Sequence, residues 1–80
     1  MKSNVELKMS GRSGQLIYVI DNKSAEAYVE MSGSDKYDLL VDVNIISNWS
    51  NGENISSQDR CIIKEAFVSW ANKKNTRCLW

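Results

Sequence analysis

The sequence predicts an α+β fold, in which a four-stranded antiparallel meander sheet carries one long C-terminal helix packed on one face. Three observations support this prediction. Segments in the first half of the chain alternate apolar and polar residues with the period of two that is typical of half-buried strands. Turn-forming residues separate these segments, and only one later stretch has the periodicity of a helix. With 80 residues, the chain is expected to form a single domain, residues 1–80.

The first two predicted strands differ in their patterns. Val5 to Met9 alternates apolar and charged residues, which indicates a strand with one buried face. Gln15 to Asp21 is rich in β-branched and aromatic residues on both faces. We therefore expect this second strand to be central or covered on both sides.

Two further strands complete the predicted sheet. Ala25 to Met31 and Tyr37 to Val43 both alternate, so each presents an apolar face and a polar face. Each connection consists of three to five turn-forming residues, a length that favours hairpins and an antiparallel meander.

The helix is predicted from Ile55 to Asn75. Ser56 is followed three residues later by Asp59, an arrangement typical of a capped helix N-terminus. At about 100° per residue, one wide apolar arc forms the expected buried face; it contains Ile62, Ile63, Ala66, Phe67, Trp70 and Ala71. Before the helix, Asn44 is expected to cap a single helical turn with Ile46 and Trp49 on one side.

Composition disfavours catalysis and metal or cofactor binding. The chain has no histidine, so a serine or cysteine nucleophile lacks its usual base. Two cysteines, Cys61 and Cys78, are too few for a metal site without histidine, and we expect both thiols to be reduced. We therefore expect no enzymatic activity and no cofactor.

The chain also lacks the apolar runs of a signal peptide or a membrane span, which predicts a cytoplasmic protein without membrane partners. Ten basic and ten acidic residues give no net charge, but the acids are concentrated in residues 21–59, where eight oppose two bases.

This acidic segment suggests a protein-binding surface. If the third and fourth strands form a hairpin, four carboxylates and two larger side chains lie together on the face away from the helix. An acidic face of this kind attracts basic partners and repels phosphate backbones; alternatively, it is a charged surface that maintains solubility and blocks edge pairing. The carboxylates are those of Glu26, Glu30, Asp38 and Asp42, and the larger side chains are Tyr28 and Leu40.

The three tryptophans have different expected roles. Trp49 either packs between the sheet and the following loop as a staple or, if it is exposed, anchors an interface. We include it among the candidate binding residues for the second reason. Trp70 lies on the buried arc and is assigned to the core. The tail that ends in Trp80 is too apolar to remain in water, and Cys61 and Val68 form a thin apolar stripe on the polar side of the helix. The tail or a second subunit of a homodimer is expected to cover this stripe.

The region from Tyr37 to Asn75 resembles the immunity protein 74 family of bacterial polymorphic toxin systems. The resemblance is carried by VDVNIISNW and, after a short polar loop, ISSQDRCIIKEAFVSW. It implies a small cytoplasmic protein that binds and neutralises a cognate toxin. A basic toxin would complement the acidic face. As an alternative, a β4–α unit also resembles the whirly-type single-strand-binding folds, which act as dimers, although the four acids argue against nucleic acid.

Overall fold

The computed structural model describes residues 3–43 and 48–80 and contains one sheet and one helix in this part of the chain. The sheet order follows the chain order, β1-β2-β3-β4-β5. The elements are β1 (Ser3–Ser10), β2 (Ser13–Ile20), β3 (Lys23–Met31), β4 (Leu39–Asp42), α1 (Ser57–Lys73) and β5 (Cys78–Leu79). The helical turn predicted after Asn44 lies outside the described residues.

The first two hairpins have shorter loops than the sequence analysis predicted. Strands β1 to β3 are connected by two-residue loops, Gly11–Arg12 and Asp21–Asn22, rather than by three to five residues. The first residue of each loop has a positive φ, +70° at Gly11 and +53° at Asp21. Glycine and aspartate tolerate this conformation better than most residues, which allows the tight turns.

The four antiparallel strands are confirmed, but the predicted strand count was wrong because a fifth strand completes the sheet. β5 lies parallel to β4, with Leu39 opposite Cys78 and Leu40 opposite Leu79. The amides of Asp38 and Leu39 also donate to the Arg77 carbonyl at 2.7 and 3.1 Å. A parallel pair needs a long crossover connection, which here includes α1.

The helix has the predicted N-terminal cap, but it spans Ser57–Lys73 rather than Ile55 to Asn75 and has a narrower buried face. The Ser56 hydroxyl accepts a hydrogen bond from the Asp59 amide at 3.1 Å, which confirms the N-terminal cap. Ile63, Phe67 and Ala71 are buried, whereas Ile62 is 45% exposed and Trp70 is half-buried against the core. The predicted arc was therefore too wide, because a helix on a sheet buries mainly the residues along its line of contact.

The core lies between α1 and one face of the sheet, here called the inner face. β2 lies between β1 and β3, and it buries Ile17 on one face as well as the inner-face residues Leu16 and Tyr18, so it is covered on both sides as its apolar pattern predicted. On the inner face, β3 and β4 bury Ala25, Ala27, Val29, Leu39 and Val41, whereas Met31 at the end of β3 is 51% exposed.

The tail after α1 folds back onto the protein. Trp80 packs on the core with its ring 6.5 Å from that of Phe67, centroid to centroid, and nearly parallel to it at 9°. Cys61 remains exposed and Val68 is half-buried, so the stripe that they form is not fully covered by the tail.

Candidate protein-binding surface

The face of the sheet away from α1, here called the outer face, brings most of the predicted binding residues together. In the β3–β4 register Tyr28 lies opposite Asp42 and Glu30 lies opposite Leu40, while Leu40 is adjacent to Leu79 of β5. Directly opposed residues on one face of a sheet have Cβ atoms about 5 Å apart. We call this surface the acidic face, and it consists of Glu26, Tyr28, Glu30, Leu40, Asp42 and Leu79.

The acidic face has an apolar centre with carboxylates around it. Tyr28, Leu40 and Leu79 are 41%, 37% and 46% exposed, and they are neighbours on the same face of β3, β4 and β5. The carboxylate-bearing residues Glu26, Glu30 and Asp42 are exposed as well. Exposed apolar groups with polar groups at their margin are typical of protein-binding surfaces.

Tyr28 is oriented by its neighbour on the same strand. Its hydroxyl donates a hydrogen bond to Glu30 Oε1 at 2.7 Å, because residues two apart on a strand point to the same face. This hydrogen bond is the main cause that raises the pKa of Tyr28, since a phenolate would face a carboxylate. Tyr28 therefore presents a neutral ring whose edge is fixed beside a negative charge.

Asp38 does not contribute an open charge to this surface, which corrects the predicted cluster of four carboxylates. Its Oδ1 lies 3.1 Å from Arg77 Nη2, and its Oδ2 accepts from the Arg77 backbone amide at 2.9 Å. The side-chain hydrogen bond from Arg77 is the main cause that lowers the pKa of Asp38. Asp38 instead attaches the segment before β5 to the start of β4.

Trp49 is not available to a partner, which corrects its assignment as a binding residue. Its side chain belongs to the core and is only 6% exposed. The ring lies 6.2 Å from the Tyr18 ring, centroid to centroid, and Lys23 Nζ lies 4.3 Å from its centre, a cation–π contact. Of the two roles that the sequence left open, the structure shows the staple between sheet and loop.

The C-terminal segment adds two residues that the sequence analysis missed. Leu79 and Trp80 join Tyr28, Leu40 and Asp42 in lining a shallow hollow of about 380 Å³ at the β4–β5 edge of the acidic face. A two-residue strand has no detectable periodicity, so only the apolar character of the tail indicated that it was packed against the protein.

The described residues show no arrangement typical of a metal site. No three histidine, cysteine, aspartate or glutamate side chains in residues 3–43 and 48–80 are grouped so that they could hold an ion. Cys61 and Cys78 are both free thiols. Within the same residues, α1 is too short and too polar to cross a lipid bilayer.

Comparisons with protein-family models, with curated proteins and with solved structures gave no match for this chain.

Proposed function

We propose that this protein is an immunity-type inhibitor, which binds a basic bacterial toxin through the acidic face and neutralises it by protein–protein interaction. The observation that carries the proposal is the combination on one surface of three exposed carboxylates with an exposed apolar centre. The resemblance of Tyr37 to Asn75 to the immunity protein 74 family supplies the class of partner.

The two components of the surface have different roles in binding. Tyr28, Leu40 and Leu79 lose exposed apolar area when a partner covers them, which stabilises the complex. Tyr28 also has the amphipathic character of residues that dominate binding energy at interfaces. The carboxylates of Glu26, Glu30 and Asp42 accelerate encounter with a positively charged surface and disfavour negatively charged partners.

This arrangement favours a protein partner over single-stranded nucleic acid. A strand-binding sheet needs a basic groove with aromatic side chains on which bases stack. On the acidic face, the aromatic ring of Tyr28 is hydrogen-bonded to a carboxylate, and Asp42 lies opposite it. A phosphate backbone would be repelled at the same place where a lysine- or arginine-rich protein surface would be attracted.

Inhibition then follows from occupancy of the toxin's basic surface. A toxin that acts on nucleic acid must present cationic groups to its substrate, and the acidic face would cover those groups. The affinity should fall as salt rises, because the carboxylates are exposed to the screening ions.

The test is co-expression with the product of the neighbouring gene, scored by host growth and by co-purification. We expect the neighbour to stop growth alone and to be harmless, in a stable complex, when this protein is present. A harmless neighbour with no complex would contradict the toxin assignment.

Matched variants then test whether the acidic face is the binding site. Reversing the charge of Glu30 or Asp42 to lysine should weaken binding by at least about tenfold, because each change places a like charge opposite the basic partner. Glu65→Lys makes the same charge change on the exposed side of α1 and should leave affinity within about twofold. Equal effects of the three changes on affinity would show that the interface is not on the acidic face.

A further inference from the structure

One edge of the sheet is open along its whole length. Within residues 3–43 and 48–80, β1 pairs with β2 alone, and the other side of this eight-residue strand has no partner strand. Every β1 residue is exposed except Val5, which is half-buried. An open edge offers a row of backbone donors and acceptors to another strand.

The hairpin fixes which backbone groups of β1 point outward. The two-residue loop closes on Ser10 and Ser13, and a loop of this length is closed by a hydrogen-bonded pair. Hydrogen-bonded pairs alternate along an antiparallel ladder, so the even-numbered β1 residues bond to β2. The N–H and C=O groups of Val5, Leu7 and Met9 therefore point to the open side.

The second hairpin agrees with this assignment. Its two-residue loop closes on Ile20 and Lys23, which directs the backbone groups of even-numbered β2 residues toward β3. The odd-numbered β2 residues are thereby left for β1, and Ser13, Gln15 and Ile17 are the partners of Ser10, Lys8 and Glu6.

The side chains at the open edge are also only partly covered. Leu7 and Met9 lie on the inner face, opposite Leu16 and Gly14 of β2, yet each is 36% exposed. On the outer face of the same strand, Glu6 and Lys8 follow each other with opposite charges.

We propose that this edge binds a second copy of the same chain, with the two β1 strands antiparallel about a two-fold axis at Leu7. In this register Leu7 lies opposite Leu7 of the second copy, and Val5 lies opposite its Met9. Glu6 lies opposite Lys8 of the second copy, and the symmetry repeats each pair. The outward backbone groups of Val5, Leu7 and Met9 are those that such a ladder uses.

Charge selects this register among its neighbours. A shift of the second strand by two residues in one direction places Glu6 opposite Glu6, and the same shift in the other direction places Lys8 opposite Lys8. Like charges directly opposite each other are destabilising in a sheet, and opposite charges are stabilising. A shift by one residue places apolar side chains opposite charged ones. Only the register centred on Leu7 pairs both charges and all three apolar residues.

A groove between β1 and α1 accommodates part of the second copy. It has a volume of about 320 Å³ and is lined by Val5, Ala66 and Trp70 among others. In the proposed register Met9 of the second copy lies opposite Val5 on the inner face, beside this groove. The flexible thioether side chain of Met9 suits the apolar part of this groove, formed by Val5, Ala66 and Trp70; the rest of the lining is polar and consists of Ser3, Asn4, Ser69 and Lys73.

The dimer leaves the acidic face accessible. The open edge of β1 and the β4–β5 pair lie at opposite ends of the sheet order, so two copies form a ten-stranded sheet with an acidic face in each half. Self-association is therefore independent of the proposed function, and failure of either assignment does not affect the other.

The test is sedimentation velocity over a concentration series up to on the order of 100 μM. We expect a dimer for the unmodified protein. Glu6→Lys and Lys8→Glu should each raise the dimer dissociation constant at least about tenfold, because the two symmetric ion pairs become repulsive. Lys64→Glu, on the exposed side of α1, should leave it unchanged.

Two complementation experiments make the test specific for this register. An equimolar mixture of the Glu6→Lys and Lys8→Glu proteins should form a heterodimer, because every facing pair is then opposite in charge. The double variant Glu6→Lys with Lys8→Glu should recover the original dissociation constant. A monomeric unmodified protein, or a dimer indifferent to both single reversals, would overturn the proposal, as would a mixture that fails to associate.

Discussion

At Gly14, the addition of a single methyl group is expected to destabilise the fold strongly. A Cβ at this residue would lie 2.0 Å from the Lys8 carbonyl oxygen and 2.8 Å from Met9 Cα. Real Cβ atoms essentially never approach closer than 3.0 Å. Both contacts are with the backbone of β1, so no side chain can rotate away, and Gly14→Ala must displace the strand by at least about 1 Å.

The cost can be estimated from the ladder. A displacement of this size lengthens hydrogen bonds of about 2.9 Å beyond the range in which they are effective. The pairs that flank Gly14, Ser10 with Ser13 and Lys8 with Gln15, contribute two to four such bonds of about 1 kcal/mol each. Gly14→Ala should therefore lower the free energy of unfolding by about 3 kcal/mol, a large part of the stability of a small domain.

Urea denaturation followed by circular dichroism measures this effect. With a slope of about 1.5 kcal/mol per molar urea, the midpoint should fall by about 2 M. Gly33→Ala is the matched control, since a Cβ at Gly33 has no neighbour within 4 Å and its φ is not positive; its midpoint should stay within about 0.5 M of the unmodified protein. Equal midpoints for the two variants would show that β1 does not approach Gly14 as closely as described.

Three further predictions concern the core, the β5 attachment and the thiols. Phe67→Ala removes a fully buried ring and should lower the free energy of unfolding by about 3–5 kcal/mol in the same urea assay. Arg77 lowers the pKa of Asp38 in the folded state. The carboxylate therefore stabilises the fold above its unfolded pKa of about 3.9, and this contribution is lost as the pH falls through the lower folded value. Because Asp38→Asn removes the titrating group, the melting temperature of this variant should depend less on pH between about pH 2 and pH 6. Alkylation followed by peptide mass spectrometry should label the exposed Cys61 before Cys78, because burial raises the pKa of the Cys78 thiol.

The parts of the fold that the sequence predicts are those that depend on neighbouring residues. The Ser56 cap needs only a hydroxyl and an amide three residues away, and it is found as predicted. The alternation from Ala25 to Met31 likewise places Tyr28 and Glu30 on one face, where they form a hydrogen bond.

The parts that the sequence analysis missed depend on contacts between distant segments. Asp38 alternates with apolar residues like the other carboxylates of this segment, and nothing in that pattern indicates its ion pair with Arg77, which is 39 positions away. Trp49 has no local pattern that decides between a surface and a core position, and it is buried because the Tyr18 ring from β2 packs against it. Such contacts arise from the topology of the sheet, which a pattern within one segment does not contain.

The separation of β4 and β5 in the chain makes the proposed binding surface depend on a contact between distant segments. Strands β1 to β3 pair through adjacent hairpins, whereas β5 pairs with β4 across a connection that includes α1. This pairing places Leu79, a part of the apolar centre, beside Leu40 on the acidic face. A chain in which β5 has detached therefore has an incomplete binding surface and an uncovered β4 edge. If the acidic face binds a partner as proposed, local detachment of β5 would weaken binding even while the hairpins of β1 to β3 remain paired.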